Sequence, residues 1–332
     1  MNIVQPAPAN LMAFSKLSAL FDALVHETVT LNNARVGRII RLVLLDSKGS
    51  WLRPQLVFGL GEAQGHDLEA LLPIAGAAEM MHCASLLHDD VIDDGFSRRG
   101  NPTANALHGN VAAVLCGDVL MARAMSLLSE RLPNAIPNAA KTIAELSNSA
   151  LKEQDLRYRS DVTMSDWHMV AEQKTGSLLG FCLSSLLPTH RTPKAFELGY
   201  LLGQFFQLCD DLKDFHDTGT GKPPYQDLSN GNPNWVTLTL GEQSPGFRQE
   251  LQQFWASSKS LKDGAAFTQR WDFRSVAMQG LQRVSFLKGE IHQLAHVLFN
   301  HEGQALLLQW LQQVHQKAQK QMVPEPALEV SL

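Results

Sequence analysis

Apolar residues recur at three- and four-residue spacing along almost the whole chain, and this periodicity limits the fold more than any other feature. It runs through 11–30, 34–46, 69–93, 111–129, 136–157, 165–187 and 193–216, then through 246–257, 273–299 and 304–320. Such spacing lays one apolar stripe along a helix. Long alternating runs of strand type are absent. Breakers fall between the periodic segments, at Gly95 to Pro102, Pro133 with Pro137, Pro188 to Pro193, and Thr218 to Asn234. Pro54 sits near the start of its own helix, where a missing N–H costs little. No repeat or compositional linker divides the 332 residues. The expectation is one all-α domain of about ten helices over residues 1–322, a single large helical bundle, with a flexible tail at 323–332.

Composition narrows the function. Hydrophobic residues are 45% and charged residues 18%, the latter below the roughly 25% of ordinary soluble proteins. Net charge is −5 and the isoelectric point near 6.2, which argues against a nucleic-acid partner. Cys83, Cys116, Cys182 and Cys209 lie far apart and read as reduced, buried thiols of a cytoplasmic protein. The start MNIVQPAPANLMAFSK lacks the form of a secretory signal. No apolar run reaches the roughly 18 residues of a membrane span. The richest, Leu71 to Met81, is short and carries Glu79.

Two carboxylate clusters stand out, Asp89-Asp90-Val91-Ile92-Asp93-Asp94 and Asp210-Asp211-Leu212-Lys213-Asp214. Each contains DDxxD at the C-terminal end of an apolar helical run. Positions i and i+4 share a helix face, so Asp89 pairs with Asp93 and Asp210 with Asp214. Like charges repel there and oppose the helix dipole. A solvated acidic helix end is the alternative reading of one such cluster. Two of them, each before a long loop, favour a bound cation. Oxygen donors suit Mg²⁺ or Ca²⁺, and Mg²⁺ takes one or two carboxylates plus substrate phosphates. Arg98-Arg99 follows the first cluster, and guanidinium groups bind phosphate in bidentate fashion. Lys174-Thr175-Gly176 interrupts an apolar helix, and Gly221-Lys222-Pro223 adds a cation after the second cluster.

These residues carry a resemblance. The sequence resembles the trans-polyprenyl diphosphate synthase family, geranylgeranyl and octaprenyl diphosphate synthases among its members, from about residue 53 to 239. The matching stretches are LLHDDVIDDGFSRRGNPTANALHGNVAAVLCGD, the KTG at 174–176, FFQLCDDLKD and GKPPYQDLSNG. The resemblance implies an isoprenoid-synthase bundle with a central Mg²⁺-diphosphate cavity, and condensation of an allylic diphosphate with isopentenyl diphosphate to a longer all-trans product. It implies three Mg²⁺ ions: two on Asp89 and Asp93, with Asp90 or Asp94 supporting, and one on Asp210, with Asp211 and Asp214 acting directly or through water. Arg98, Lys174 and Lys222 would bind the allylic diphosphate, and Arg53, His82 and Arg99 the isopentenyl diphosphate. Thr175 and Gln207 would turn oxygen dipoles to a carbocation, Gln207 lying beside the allylic diphosphate as well. A homodimer is expected on the same ground.

The sequence also departs from that family. Where its members read GGKRxRP, this chain has Lys48-Gly49-Ser50-Trp51-Leu52-Arg53-Pro54. Ser50 replaces an expected Lys, Trp51 a basic residue, and Asn232 the Lys of DLxxGKxT. One charge-assisted bond contributes about 1.5–3 kcal/mol, so isopentenyl diphosphate would bind more weakly. The alternatives are a terpene-synthase-like enzyme, a transferase with another acceptor, and a non-catalytic partner subunit. The small Ala84 and Ser85, with Met81 deeper along the same helix, predict a product of C20 or longer.

Overall fold

A computed structural model describes residues 8–30, 33–46, 51–98, 100–215, 225–244, 246–257 and 261–322. The helices in chain order are α1 (Pro8–Thr30), α2 (Ala34–Arg41), α3 (Leu52–Ala63), α4 (Leu68–Ile92), α5 (Ala104–His108), α6 (Asn110–Arg131), α7 (Ile136–Leu156), α8 (Met164–Ala171), α9 (Ser177–Ser185) and α10 (Thr192–Lys213). They continue as α11 (Gln226–Ser229), α12 (Trp235–Gln243), α13 (Phe247–Ser257), α14 (Leu261–Thr268), α15 (Phe273–Leu298) and α16 (His301–Met322). The sole sheet among the described residues is a hairpin, β1 (Ser97–Arg98) with β2 (Asn101–Pro102), pairing Ser97 with Pro102 and Arg98 with Asn101.

The long helices fall close to their predicted spans. The stretch 165–187 is less uniform than its periodicity suggests, because a π-helical turn, Glu172–Gly176, separates α8 from α9. The loop predicted after Asp94 is a tight hairpin followed by α5. The loop predicted up to Asn234 contains α11, and its segment 216–224 lies outside the described residues, as does the predicted tail.

The chain groups into two compact units. The first comprises Met1–Ala144, Leu178–Phe196 and Leu298–Gly303; the second comprises Glu145–Ser177, Glu197–Val297 and Gln304–Leu332. In the first, α4 packs along α6, with α1, α3 and α5 also against α4. Phe21, Phe58, Leu71 and Met81 are fully buried there. In the second, Phe205 and Phe247 are fully buried, and Phe247 meets Phe267, Trp271 and Phe273 edge-on or tilted.

Among the described residues, two helices are long and apolar enough on average to cross a membrane, although Glu79 interrupts one and Asp118 the other. A buried helix of a large core meets the same hydropathy test as a span. That describes α4, whose most apolar window is 72% buried. Helix α6 is different: its window is 33% buried, and Val111, Val114 and Leu115 form an exposed apolar stripe.

Candidate active site

In the first unit the aspartates close α4. Asp93 caps the helix, Asp94 takes a left-handed backbone (φ 48°), and the Gly95 N–H donates to the Asp90 carbonyl at 2.8 Å. The reversal sends β1 back along the helix end, so that Arg98 meets Asp90. Both Nε and Nη2 of Arg98 donate to Asp90 Oδ1, at 3.0 and 2.7 Å. Asp90 is 8% exposed. Asn105 Nδ2 donates to the carbonyls of Asp90 and Gly95 at 3.1 Å each, and the Thr103 hydroxyl donates to Gly95 at 2.7 Å. The turn is therefore tied down by its own sequence, NPTAN. Asp93 and Asp94 are exposed and Asp89 half-buried.

Below this helix end, Ala84 and Met81 are fully buried and Ser85 is half-buried, its hydroxyl donating to the His82 carbonyl. Arg53 stands in the first turn of α3, preceded by Trp51 in a left-handed conformation (φ 44°). Trp51 is an aromatic packing residue, with ring centroids 5.6 Å from Phe14 and 5.9 Å from Phe21. A position expected to carry positive charge thus anchors α3 against α1. Arg99, Ser50 and Lys222 lie outside the described residues.

In the second unit the motif ends α10. Asp210 is exposed and paired with Lys213 at 3.1 Å. Asp211 turns inward and is 1% exposed. Its Oδ2 accepts from Trp167 Nε1 at 2.7 Å and from the Trp235 N–H at 2.8 Å, and its Oδ1 accepts from Gln207 Nε2 at 2.8 Å. Asp214 accepts the Gln226 and Asp227 N–H groups at 2.8 and 3.1 Å, which fixes the start of α11. Burial, then the nearby Asp227 charge, pushes the Asp211 carboxyl well above the usual range, although the three donors pull the other way. The same two causes raise Asp214 to about 7.

Lys174 lies on the π-helical turn and is ion-paired with Glu153 of α7. The turn is held against α10 at glycines: a Cβ on Gly176 would come within 2.7 Å of the Gly199 carbonyl oxygen, and one on Gly203 within 2.5 Å of that of Ala171. Thr175, on this turn, and Gln207 are half-buried. A cavity of about 60 Å³ lies within this unit, lined by Glu153, Trp167, Gln207, Asp211, Asp227 and Asn232 among others. Asn232, where a Lys was expected, leaves its buried Oδ1 without a partner. Periodicity did not single out Trp167, Glu153 or Asp227. The QDLSNG string contains Asp227, and N-x-x-T at Asn234–Thr237 is a capping box for α12.

The donor chemistry fits Mg²⁺. Both motifs offer carboxylate oxygens, the donors Mg²⁺ takes together with phosphate and water. Among the described residues no group of three or more His, Cys, Asp or Glu side chains is brought together.

A family model described as polyprenyl synthetase matches residues 38–267. The chain is 35% identical over 209 residues to heptaprenyl diphosphate synthase component 2 of Geobacillus stearothermophilus, covering 60% of this chain and 64% of that one. It is 30% identical over 238 residues to geranylgeranyl diphosphate synthase of Methanosarcina mazei, covering 68% and 74%. The match spans 64% and 56% of the length of the first two curated relatives. In structure it is similar to a decaprenyl diphosphate synthase from Rhodobacter capsulatus, with a TM-score of 0.80 at 21% identity over 92% of this chain and 98% of that one. A heptaprenyl diphosphate synthase from Staphylococcus aureus gives 0.79 at 22% identity over 95% and 98%. At these identities the structural likeness speaks for the isoprenoid-synthase fold.

Proposed function

The chain belongs to the polyprenyl synthetase family, and from that premise we propose that it is a trans-prenyltransferase, lengthening an allylic prenyl diphosphate with isopentenyl diphosphate. The observation that carries the reading is the aspartate motif repeated at two helix ends, each with basic side chains already engaged by carboxylates. Arg98 is on Asp90, Lys213 on Asp210, and Lys174, on its π-helical turn, on Glu153.

Asp89 and Asp93, and Asp210, with Asp90, Asp94, Asp211 and Asp214 in support, would hold three Mg²⁺ ions, which would supply positive charge to the departing diphosphate. The chain's own groups do the rest. Arg98, Lys174 and Lys222 bind the allylic diphosphate and are pre-set for the charge that grows as its C–O bond breaks. Gln207 commits its Nε2 to Asp211, which leaves its Oε1 as the dipole for an allylic cation. Thr175 offers a second oxygen. Arg53, His82 and Arg99 orient isopentenyl diphosphate, whose double bond attacks C1 of the cation. The proton lost afterwards passes to the released diphosphate, so no protein nucleophile is needed. Apolar walls keep water from quenching the cation.

Elongation stands ahead of a different acceptor because the second motif keeps DDxxD and the relatives' names are those of polyprenyl diphosphate synthases. A C20 or longer product follows from the small Ala84 and Ser85, with Met81 as the stop. Incubation with farnesyl diphosphate, isopentenyl diphosphate and Mg²⁺, followed by product mass, tests it. Ser85→Phe is expected to shorten the product, and a sole C15 product from the unaltered protein counts against the assignment.

The Geobacillus relative is named as one component of a synthase. For this chain a second copy is the preferred partner, supported by the apolar stripe Val111, Val114 and Leu115 on α6. A cytoplasmic location accords with four buried, unbridged thiols.

A further inference from the structure

Glu153, the carboxylate paired with Lys174, belongs to neither aspartate motif. Three glutamates of the second unit have distinct partners. Glu145 accepts from the Tyr200 hydroxyl at 2.9 Å, Glu172 accepts from Gln204 Nε2 at 2.8 Å, and Glu153 takes the Lys174 ammonium. Both members of the last pair are 30% exposed, so a ligand can reach them. The backbone under Lys174 cannot follow a ligand, because the glycine contacts of Gly176 and Gly203 fix the turn against α10. A ligand that takes the Lys174 ammonium therefore has to draw that side chain from Glu153. That carboxylate also lines the cavity shared with Gln207, Asp211 and Asp227.

We propose that Glu153 is a positioning residue that holds Lys174 in the ligand-free enzyme, so that any phosphate ligand of Lys174 must first displace this carboxylate. The inference rests on the reading of Lys174 as a diphosphate-binding cation. Its physical basis is competition: a ligand gains at Lys174 only the difference between its own attraction and that of the carboxylate it displaces. The cost of breaking the pair is the same for a diphosphate and a monophosphate, so Glu153 weakens both by one factor and leaves their ratio unchanged.

A partly exposed ion pair of this kind contributes at most about 1 kcal/mol, which sets the expected effect at roughly two- to fivefold. Glu153→Gln should lower the KM for farnesyl diphosphate by about that factor, with the change in KM rather than kcat. It should tighten binding of farnesyl monophosphate by the same factor, because both ligands displace the same carboxylate. Glu153→Asp, which keeps the charge, should behave nearer to the unaltered protein. Lys174→Gln should raise the KM for the diphosphate about tenfold or more, and adding Glu153→Gln to it should change nothing further. Calorimetric binding of inorganic pyrophosphate with Mg²⁺ provides a readout independent of turnover. If Lys174→Gln weakens binding while Glu153→Gln leaves it unchanged or weaker, the proposal for Glu153 is overturned and the reading of Lys174 stands. If Lys174→Gln has no effect, both fall.

Discussion

The two aspartate motifs share one string and are buried in opposite electrostatic styles. In both, the second aspartate turns inward: Asp90 is 8% exposed and Asp211 1%. In each pair of neighbours the inner carboxylate lies about 100° round the helix from its outward partner, which explains why DD precedes xxD twice. Asp90 is neutralised by a guanidinium. Asp211 has only the neutral donors Trp167, Trp235 N–H and Gln207, and the Asp227 charge nearby raises it further. The inner carboxylate of the first motif is thus compensated by a cationic side chain, while that of the second is held by neutral donors.

The largest effects should leave the two motifs alike, because their outward aspartates have the same task. Asp89→Ala and Asp210→Ala are each expected to lower Mg²⁺-dependent diphosphate release by about a hundred- to thousandfold. A variant retaining near-normal release would remove its motif from the reaction.

The folding effects should separate them. Asp211→Leu leaves the Trp167 Nε1, the Trp235 N–H and Gln207 Nε2 without an acceptor, and each such loss costs about 1–3 kcal/mol. Asp90→Leu releases an Arg98 side chain that is 39% exposed and can turn to water, for under about 1 kcal/mol in lost pairing. Denaturant unfolding of both variants measures the contrast, and equal costs would break it.

A smaller effect lies in pH. Asp214 is raised to about 7 by burial and Asp227, against about 3.9 in an unfolded chain. The folded state therefore binds more protons than the unfolded state between these values. Its contribution is full below about pH 4 and is lost as pH rises through about 7. In EDTA the protein should be more stable at pH 5 than at pH 7.5 by on the order of 2 kcal/mol from this group, and Asp214→Asn should flatten that slope. Added Mg²⁺ should raise stability more at pH 7.5 than at pH 5. An unaltered slope in Asp214→Asn would remove this group as its source.

Much of this was legible in the sequence, for reasons that differ by residue. Helix periodicity marked α4 and α10 because long amphipathic stripes persist over many turns. Its spans left out α3 (Leu52–Ala63), which Pro54 alone marked, and α5, α11, α12 and α14, which are at most nine residues long and present few turns for a stripe to register. The motif aspartates were visible from spacing. Their inward or outward direction was not, since it depends on Trp167, Arg98 and Asp227, which come from other elements. Trp51 was readable only as a missing cation; its packing on Phe14 and Phe21 required the fold. Glu153 offered no local pattern at all, because its partner is 21 residues away across the turn between α7 and α8.

The central claim, a prenyl chain lengthened at two Mg²⁺-binding motifs, is tested most directly by diphosphate release from farnesyl diphosphate and Mg²⁺, with and without isopentenyl diphosphate. The expected result is release that requires isopentenyl diphosphate and matches it mole for mole in a longer all-trans product. Release at the same rate without isopentenyl diphosphate, or none under either condition, would contradict it.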